Sequence, residues 1–256
     1  MVTFRSDMTV DLIDCMGTEL RIVEAAQVST KGASAAPLKA PGLMNLIRRI
    51  THTGGWNLVK GTRPNPGLVK WLYKERHASP FEHCIMTFRI EAPIFITREI
   101  LRHRLSSFNE ESGRYRVLRG VFYSPDGKRK LRQIGKVGNY EFVDGSVAQR
   151  LLTAVSTRVS PVVSWWFYRA MIKAGVSREV ARMVLPVSIY SSLYYTANLR
   201  SILNFLSLRV DWGEDAHVRS HPQAEIQEVG LKIAAAVAAH YPNVWKSFVA
   251  NGYQSV

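Results

Sequence analysis

The sequence predicts an α+β fold, on three observations. Strand-like and helix-like stretches are mixed along the chain without regular β-α-β alternation, which argues against a doubly wound parallel sheet. No G-x-G-x-x-G follows a strand-like run, so a Rossmann dinucleotide site is not indicated. Residues 83–91 alternate in polarity, the mark of a strand with one buried face.

Taken in order, residues 10–14 read as a short strand and 19–28 as a short helix. Glycine and proline at 31–42 and 61–67 predict loops. Residues 42–52 and 66–75 read as helices; in the first, Leu43, Leu46, Ile47 and Ile50 recur at helical spacing. In 83–91, Cys84, Met86, Phe88 and Ile90 share one face, with Thr87, Arg89 and Glu91 opposite. Pro93 then opens a helix to about Leu101, proline being tolerated in a first turn. Glu99 and His103 lie one turn apart on the same face and can meet. Residues 146–174 form a long helical pattern, interrupted near Pro161, and Ser177 can cap the next helix. Residues 189–196, with tyrosines and a β-branched residue, read as a strand. From Asn198 onward, Leu199, Ile202, Leu203 and Leu206 form an apolar helical face, with Arg200, Asn204 and Ser207 opposite. A polar face with Arg and Asn but neither Lys nor Glu is unusual for plain solvent exposure. Residues 222–240 make a final long helix, with Ile226, Val229, Gly230, Ile233 and Val237 toward the core. No repeat, low-complexity tract or linker divides the chain, so a single domain over 1–256 is expected.

Composition narrows the class. With 256 residues, 46% of them hydrophobic, the chain can bury a sizeable core. Cys15 and Cys84 give neither a disulfide framework nor metal-ligand spacing, which fits a reducing cytoplasm and no metal site. No apolar run is long enough to span a bilayer, and no signal peptide is evident. The formal charge of +14 favours anionic partners such as nucleotides, folates, phosphates or nucleic acid. The local cluster at 128–132 follows a Pro-Asp-Gly turn and lacks interleaved aromatics, so a solvated loop is expected there.

The most informative stretch is 102–115, Arg-His-Arg-Leu-Ser-Ser-Phe-Asn-Glu-Glu-Ser-Gly-Arg-Tyr. It gathers cations, carboxylates, hydroxyls, an amide and a glycine in a segment read as turn-prone. Arg102, Arg104 and Arg114 are forks for phosphate or carboxylate. Ser106, Ser107 and Ser112 can add hydroxyl contacts, and Gly113 allows close backbone approach. His103 titrates nearest neutrality, and Glu110 can accept from a ribose hydroxyl or ring N–H. The alternative is a solvated loop laced with weak surface ion pairs.

The stretch resembles the flavin-dependent thymidylate synthase signature R-H-R-x-x-S-x-N-E-x-S-x-R-Y. Every fixed position is met: Arg102, His103, Arg104, Ser107, Asn109, Glu110, Ser112, Arg114 and Tyr115. Further blocks are similar and in the same order: Ala25 to Ser29, His77 to His83, Ala92 to Phe95, Arg178 to Pro186, Asn198 to Arg209, and Pro222 to Ile226. Residues 117–146 are not matched. Gln27 stands where the family usually has arginine, and Glu99 where some members carry glutamine.

The resemblance implies a curved, mainly antiparallel sheet flanked by helices, assembled as a homotetramer with active sites between subunits. It implies reductive methylation of dUMP to dTMP, with methylenetetrahydrofolate as carbon donor and NADPH-reduced FAD as electron source. Carried over position by position, Arg209 is the catalytic arginine at the pyrimidine edge, stabilising charge that develops on the ring. Glu99, Arg102, Glu110, Glu111, Ser112, Gly113, Arg114 and Arg182 join it as dUMP contacts. Ser79, Arg102, His103, Arg104, Glu110, Asn198, Arg200 and Asn204 match flavin contacts.

Bland readings stand beside these. Asn198 can simply cap a helix, Arg182 can pair with Glu179, and His83 can be a surface or core histidine, whereas His77 can approach folate or flavin. Cysteine-using thymidylate synthases attack the pyrimidine with a thiolate. Cys84, expected on the buried face of its strand, and Cys15 are the kind of free cysteine that is usually inert. Two other functions stay open: a basic nucleic-acid-binding module, and a same-fold pyrimidine nucleotide hydroxymethylase.

Overall fold

The alternating run after Cys84 becomes the centre of the main sheet in the computed structural model, which describes residues 1–31, 65–136 and 139–256. Strand β1 is Thr3–Arg5, β2 Thr9–Met16, β3 Ile85–Pro93, β4 Ser106–Glu110 and β5 Val121–Tyr123. Strands β6, Arg132–Lys136, and β7, Asn139–Val143, pair antiparallel, and β8 is Tyr190–Asn198. The main sheet is antiparallel in the order β2-β3-β8-β4, with Phe88 opposite Leu12 and Tyr195. A separate short pair, β1 with β5, is parallel.

Helix α1 is Glu19–Lys31, α2 Pro66–Lys74, α3 Ile94–Ile100, α4 Val147–Lys173 and α5 Arg178–Ala181. Helix α6 is Leu199–Arg209, α7 Ala224–His240 and α8 Pro242–Ala250. The α+β expectation holds, and the predicted faces are the observed ones. Cys84, Met86, Phe88 and Ile90 are fully buried, as are Leu199, Ile202, Leu203 and Leu206 of α6 and Ile226, Val229, Ile233 and Val237 of α7. They join one core running from Met8 to Val256. Removing this apolar surface from water is the main favourable contribution to the fold.

Several expectations are corrected. The signature is not one continuous turn, because Ser106–Glu110 is an edge strand on β8. Phe108 stacks on Tyr195 at 5.5 Å on one face, while Ser107 and Asn109 are exposed on the other, so an edge strand accommodates the polar residues. Helix α4 runs unbroken through Pro161. A proline removes one backbone donor, and here the turns on both sides remain helical. Its start carries a capping box between Ser146 and Gln149. Ser177 stands at the N-cap of α5, but its side chain caps nothing. Helix α7 is not the last. Pro242 starts α8, whose Val244 and Phe248 are buried one turn apart. In the basic cluster, Lys128, Lys130 and Arg132 are exposed, but Arg129 turns inward to Glu225. The helix expected at 42–52 lies outside the described residues.

Candidate functional site

Helix α6 explains the position of Arg209. Asn198 caps its start, with Oδ1 accepting from the Ser201 N–H at 2.9 Å. The buried apolar face fixes its roll, and Val210, 1% exposed, ends it. Arg209 therefore leaves the last turn at a set angle, half-buried. Its Nε donates to His103 Nε2 at 3.1 Å, and its Nη1 donates to Glu99 Oε2 at 2.9 Å. Glu99 and His103 do meet, but through Arg209. The reason is that α3 stops at Ile100, so His103 leaves the helix before a direct contact forms.

Electrostatics agree with this geometry. Burial, and then the neighbouring Arg209, hold the His103 imidazole down at about 4. The ring is thus neutral near pH 7 and accepts at Nε2, with its edge on Phe205 at 4.7 Å. Burial pushes the Glu99 carboxyl up, Arg209 opposes this, and the charge of Glu225 adds to it.

A second group follows β4. Glu110 accepts from Thr97 Oγ1 at 3.1 Å, and Glu111, 8% exposed in its side chain, faces Arg116 Nε at 3.3 Å. Ser112 Oγ accepts from the Arg114 N–H at 3.3 Å, while its carbonyl accepts from Tyr115 and Arg116. A Cβ on Gly113 would stand 3.0 Å from Leu118 Cδ1 and 3.2 Å from Arg182 Cδ, so this position packs tightly against the Arg182 stem. Arg114 pairs with Glu179 at 3.1 Å, which corrects the alternative in which Glu179 pairs with Arg182. A cleft of about 710 Å³ is lined by Glu110, Glu111 and Ser112 together with Arg89, Arg119 and Tyr194.

The remaining candidates lie on exposed surface. Arg102, Arg104, Ser79 and Asn204 are exposed. Arg200 pairs with Glu82 at 2.7 Å. Asn204 and Arg209 share α6, so its polar face adjoins His103. His77 stacks on Trp71 at 5.0 Å, and His83 is exposed. Among the described residues, no hydrogen bond or ion pair joins the Arg209 group to the Ser112–Arg114 group. Glu225, Tyr123 and Arg129 were not anticipated. Tyr123 Oη donates to Glu225 Oε1 at 2.6 Å, and Arg129 Nε donates to the same oxygen at 2.7 Å. The Pro222 to Ile226 block was the signal that could have flagged Glu225.

Neither cysteine belongs to these groups. Burial pushes the Cys84 thiol up to about 12, and it donates to the Thr18 carbonyl. Cys15 is also raised by burial and lies 3.1 Å from Tyr241 Oη. Both are held as thiols, poor nucleophiles. Among the described residues, no group of histidine, cysteine or carboxylate side chains could hold a metal ion, and no helix is long and apolar enough to cross a membrane.

Residues 11–243 match the family model described as thymidylate synthase complementing protein. A flavin-dependent thymidylate synthase of Streptomyces coelicolor is 43% identical over 252 residues, 98% of this chain and 94% of that one. Another, from Tropheryma whipplei, is 39% identical over 249 residues, 97% of this chain and 95% of the relative. The crystal structure of a UMP/dUMP methylase, PolB from Streptomyces cacaoi bound with 5-Br UMP, superposes with a TM-score of 0.83 at 40% identity over the whole of both chains.

Proposed function

Because the chain belongs to the flavin-dependent thymidylate synthase family, the thymidylate synthase complementing proteins, we propose that it methylates dUMP at C5 of the pyrimidine to give dTMP. It is a methyltransferase by that membership. In the full reaction, methylenetetrahydrofolate supplies the carbon and becomes tetrahydrofolate, while NADPH, through bound FAD, supplies the reducing equivalents. The observation that carries the reading is Arg209, a half-buried guanidinium held by Glu99 and His103. Among the described residues its Nη2 has no acceptor, so a donor that cannot lose its charge is left for a ligand.

The chain's own residues have separable tasks in this reading. Arg209 faces the pyrimidine edge and stabilises negative charge as C5 is activated. Ser112, Gly113 and Arg114 hold the phosphate, with Arg182 packed on Gly113, while Glu110 and Glu111 frame the same cleft and Arg102 completes the nucleotide contacts. The exposed forks of Arg102 and Arg104, which pair with no carboxylate among the described residues, suit a diphosphate. His103, Arg200, Asn204, Ser79 and Asn198 extend that flavin surface, although the Asn198 side-chain oxygen is already committed to its cap. The flavin, when bound, supplies the redox chemistry for which this chain has no accessible thiolate or metal cluster among its described residues.

Among the described residues no hydrogen bond or ion pair joins the Arg209 group to the Ser112–Arg114 group within one chain, which is compatible with sites completed by a second subunit. Helix α4 leaves Leu151, Leu152, Val155, Val159, Trp166 and Phe167 exposed, an apolar face suited to a homotetramer contact. We place the whole of 1–256 in one catalytic domain and the protein in the cytoplasm. The solved relative's description makes UMP a second substrate to test.

The test is an absorption spectrum of the isolated protein, followed by dUMP-dependent NADPH oxidation and mass analysis of the nucleotide product. A flavin spectrum and a gain of one methyl group are expected. A colourless protein that takes up no FAD ends the reading, and a hydroxymethyl product replaces it with the hydroxymethylase. Salt-sensitive capture of DNA or RNA by such a colourless protein would favour the nucleic-acid module instead.

A further inference from the structure

The Arg209 guanidinium is gripped at two donors by groups of opposite electrostatic character. His103 Nε2 takes the Nε–H at 3.1 Å and is uncharged, because burial among apolar neighbours such as Phe205 disfavours imidazolium. Glu99 Oε2 takes an Nη1–H at 2.9 Å and is the anionic partner of an ion pair. Both members are about one quarter exposed, at 24% for Arg209 and 25% for Glu99. At that depth charges are only partly screened. A neutral acceptor at position 99 would orient the fork equally well, so the carboxylate does something that hydrogen bonding alone does not require.

We propose that Glu99 and His103 are positioning residues for Arg209, and that Glu99 also sets how strongly Arg209 favours negative charge on the pyrimidine ring. The inference rests on the dUMP reading and deepens it. Held at Nε and Nη1, the fork has its plane fixed, and Nη2 is left toward the ligand. The ion pair with Glu99 offsets part of the guanidinium's charge. The other charged groups around Glu99 are Glu225, on α7, and Arg129, which pairs with Glu225; Tyr123 donates to the same carboxylate. Glu225 acts on Glu99 from a distance, with Arg129 offsetting part of its charge, whereas Glu99 is the carboxylate in direct contact with Arg209 and so bears most directly on the balance at the pyrimidine edge. The consequence is a site that accepts a neutral pyrimidine and develops favourable interaction as charge moves onto the ring, which is where binding energy accelerates a reaction.

The experiment compares wild type, Glu99→Gln, Glu99→Ala and His103→Asn in the flavin-loaded full chain. Binding of dUMP and of its 5-fluoro analogue, whose N3 is more acidic, is measured at constant pH, together with kcat and KM for dUMP. Glu99→Gln keeps an acceptor and removes the charge, so its preference for the fluoro analogue over dUMP should rise by about tenfold relative to wild type. Glu99→Ala and His103→Asn release the fork, and their kcat should fall by about 10- to 100-fold with a smaller change in KM. Glu99→Gln should restore most of the kcat lost in Glu99→Ala. An unchanged fluoro-analogue preference in Glu99→Gln overturns the charge-setting role. Equal kcat in wild type, Glu99→Ala and His103→Asn overturns the positioning role. If wild type binds neither nucleotide, the dUMP reading itself falls and takes this inference with it, an outcome separable from the other two because it appears before any substitution is made.

Discussion

Arg209 and His103 share one hydrogen bond, and the charge of the arginine constrains the ionisation of the histidine. The arginine stays charged because a guanidinium cannot lose its proton in this pH range, and the histidine stays neutral because burial and that charge both oppose imidazolium. Replacing Arg209 by alanine should lower dTMP formation by about 10²- to 10³-fold. It leaves Glu99 half-buried without its ion-pair partner, so unfolding free energy should drop by about 1–3 kcal/mol. Retained turnover in Arg209→Ala removes this residue from the mechanism. His103 makes a prediction about pH. Its value falls from an ordinary 6.5 to about 4 on folding. Between those values the unfolded chain takes up a proton that the folded chain refuses. The contribution is therefore fully present above about 6.5 and is lost as pH falls toward 4. Urea midpoints measured across that window should fall more steeply for wild type than for His103→Gln. Parallel curves would place the titrating group elsewhere.

Packing between elements sets the site as much as its polar contacts do. Helices α6 and α7 approach closely at Gly230, where an added Cβ would lie 2.5 Å from Val210 Cγ2 and 3.3 Å from the Arg209 carbonyl oxygen. Valine is stiff at χ1 and cannot swing clear. Gly230→Ala should therefore destabilise by about 1–3 kcal/mol despite the better helix propensity of alanine. It should also raise KM for dUMP, because the backbone carrying Arg209 must shift. A melting temperature equal to or above wild type would show that the helices relax without strain. The segment before β6 is tied to the body differently, by Arg129, which lies over the Phe142 ring of β7 and meets Tyr123 of β5 at Glu225, 6% exposed. The same carboxylate acts electrostatically on Glu99, so this tie reaches the Arg209 group.

Over the whole molecule, the most conspicuous surface is α4. Leu152 and Trp166 are 68% and 64% exposed, and this long apolar face is the one proposed above for contact with another copy. Leu152→Glu combined with Trp166→Glu should shift the sedimentation mass toward a single chain while leaving far-UV circular dichroism unchanged, since surface substitutions usually cost within about 0.5 kcal/mol. Activity should fall with the assembly if the Arg209 and Ser112–Arg114 groups belong to sites shared by subunits. An unchanged mass would assign α4 no part in assembly. The formal charge of +14 fits the same picture of anionic small molecules drawn to arginine-lined clefts.

Local pattern and residue chemistry were enough for a good deal of this protein. Alternation named the buried face of β3, the 3.6-residue period named those of α6 and α7, and the signature from Arg102 to Tyr115 pointed to the family to which the chain belongs. These succeed because backbone geometry maps sequence period directly onto a face. The long-range pairings were not legible. Nothing local says that Arg209 lies between Glu99 and His103, that Arg114 takes Glu179 from Arg182, or that Arg129 leaves its basic cluster for Glu225. Ion pairs carry no sequence period, and which partners meet is decided by how α3, α6 and α7 pack around the sheet. The edge position of β4 has the same origin, because its pairing with β8 depends on a partner some ninety residues downstream, beyond the reach of any local signal.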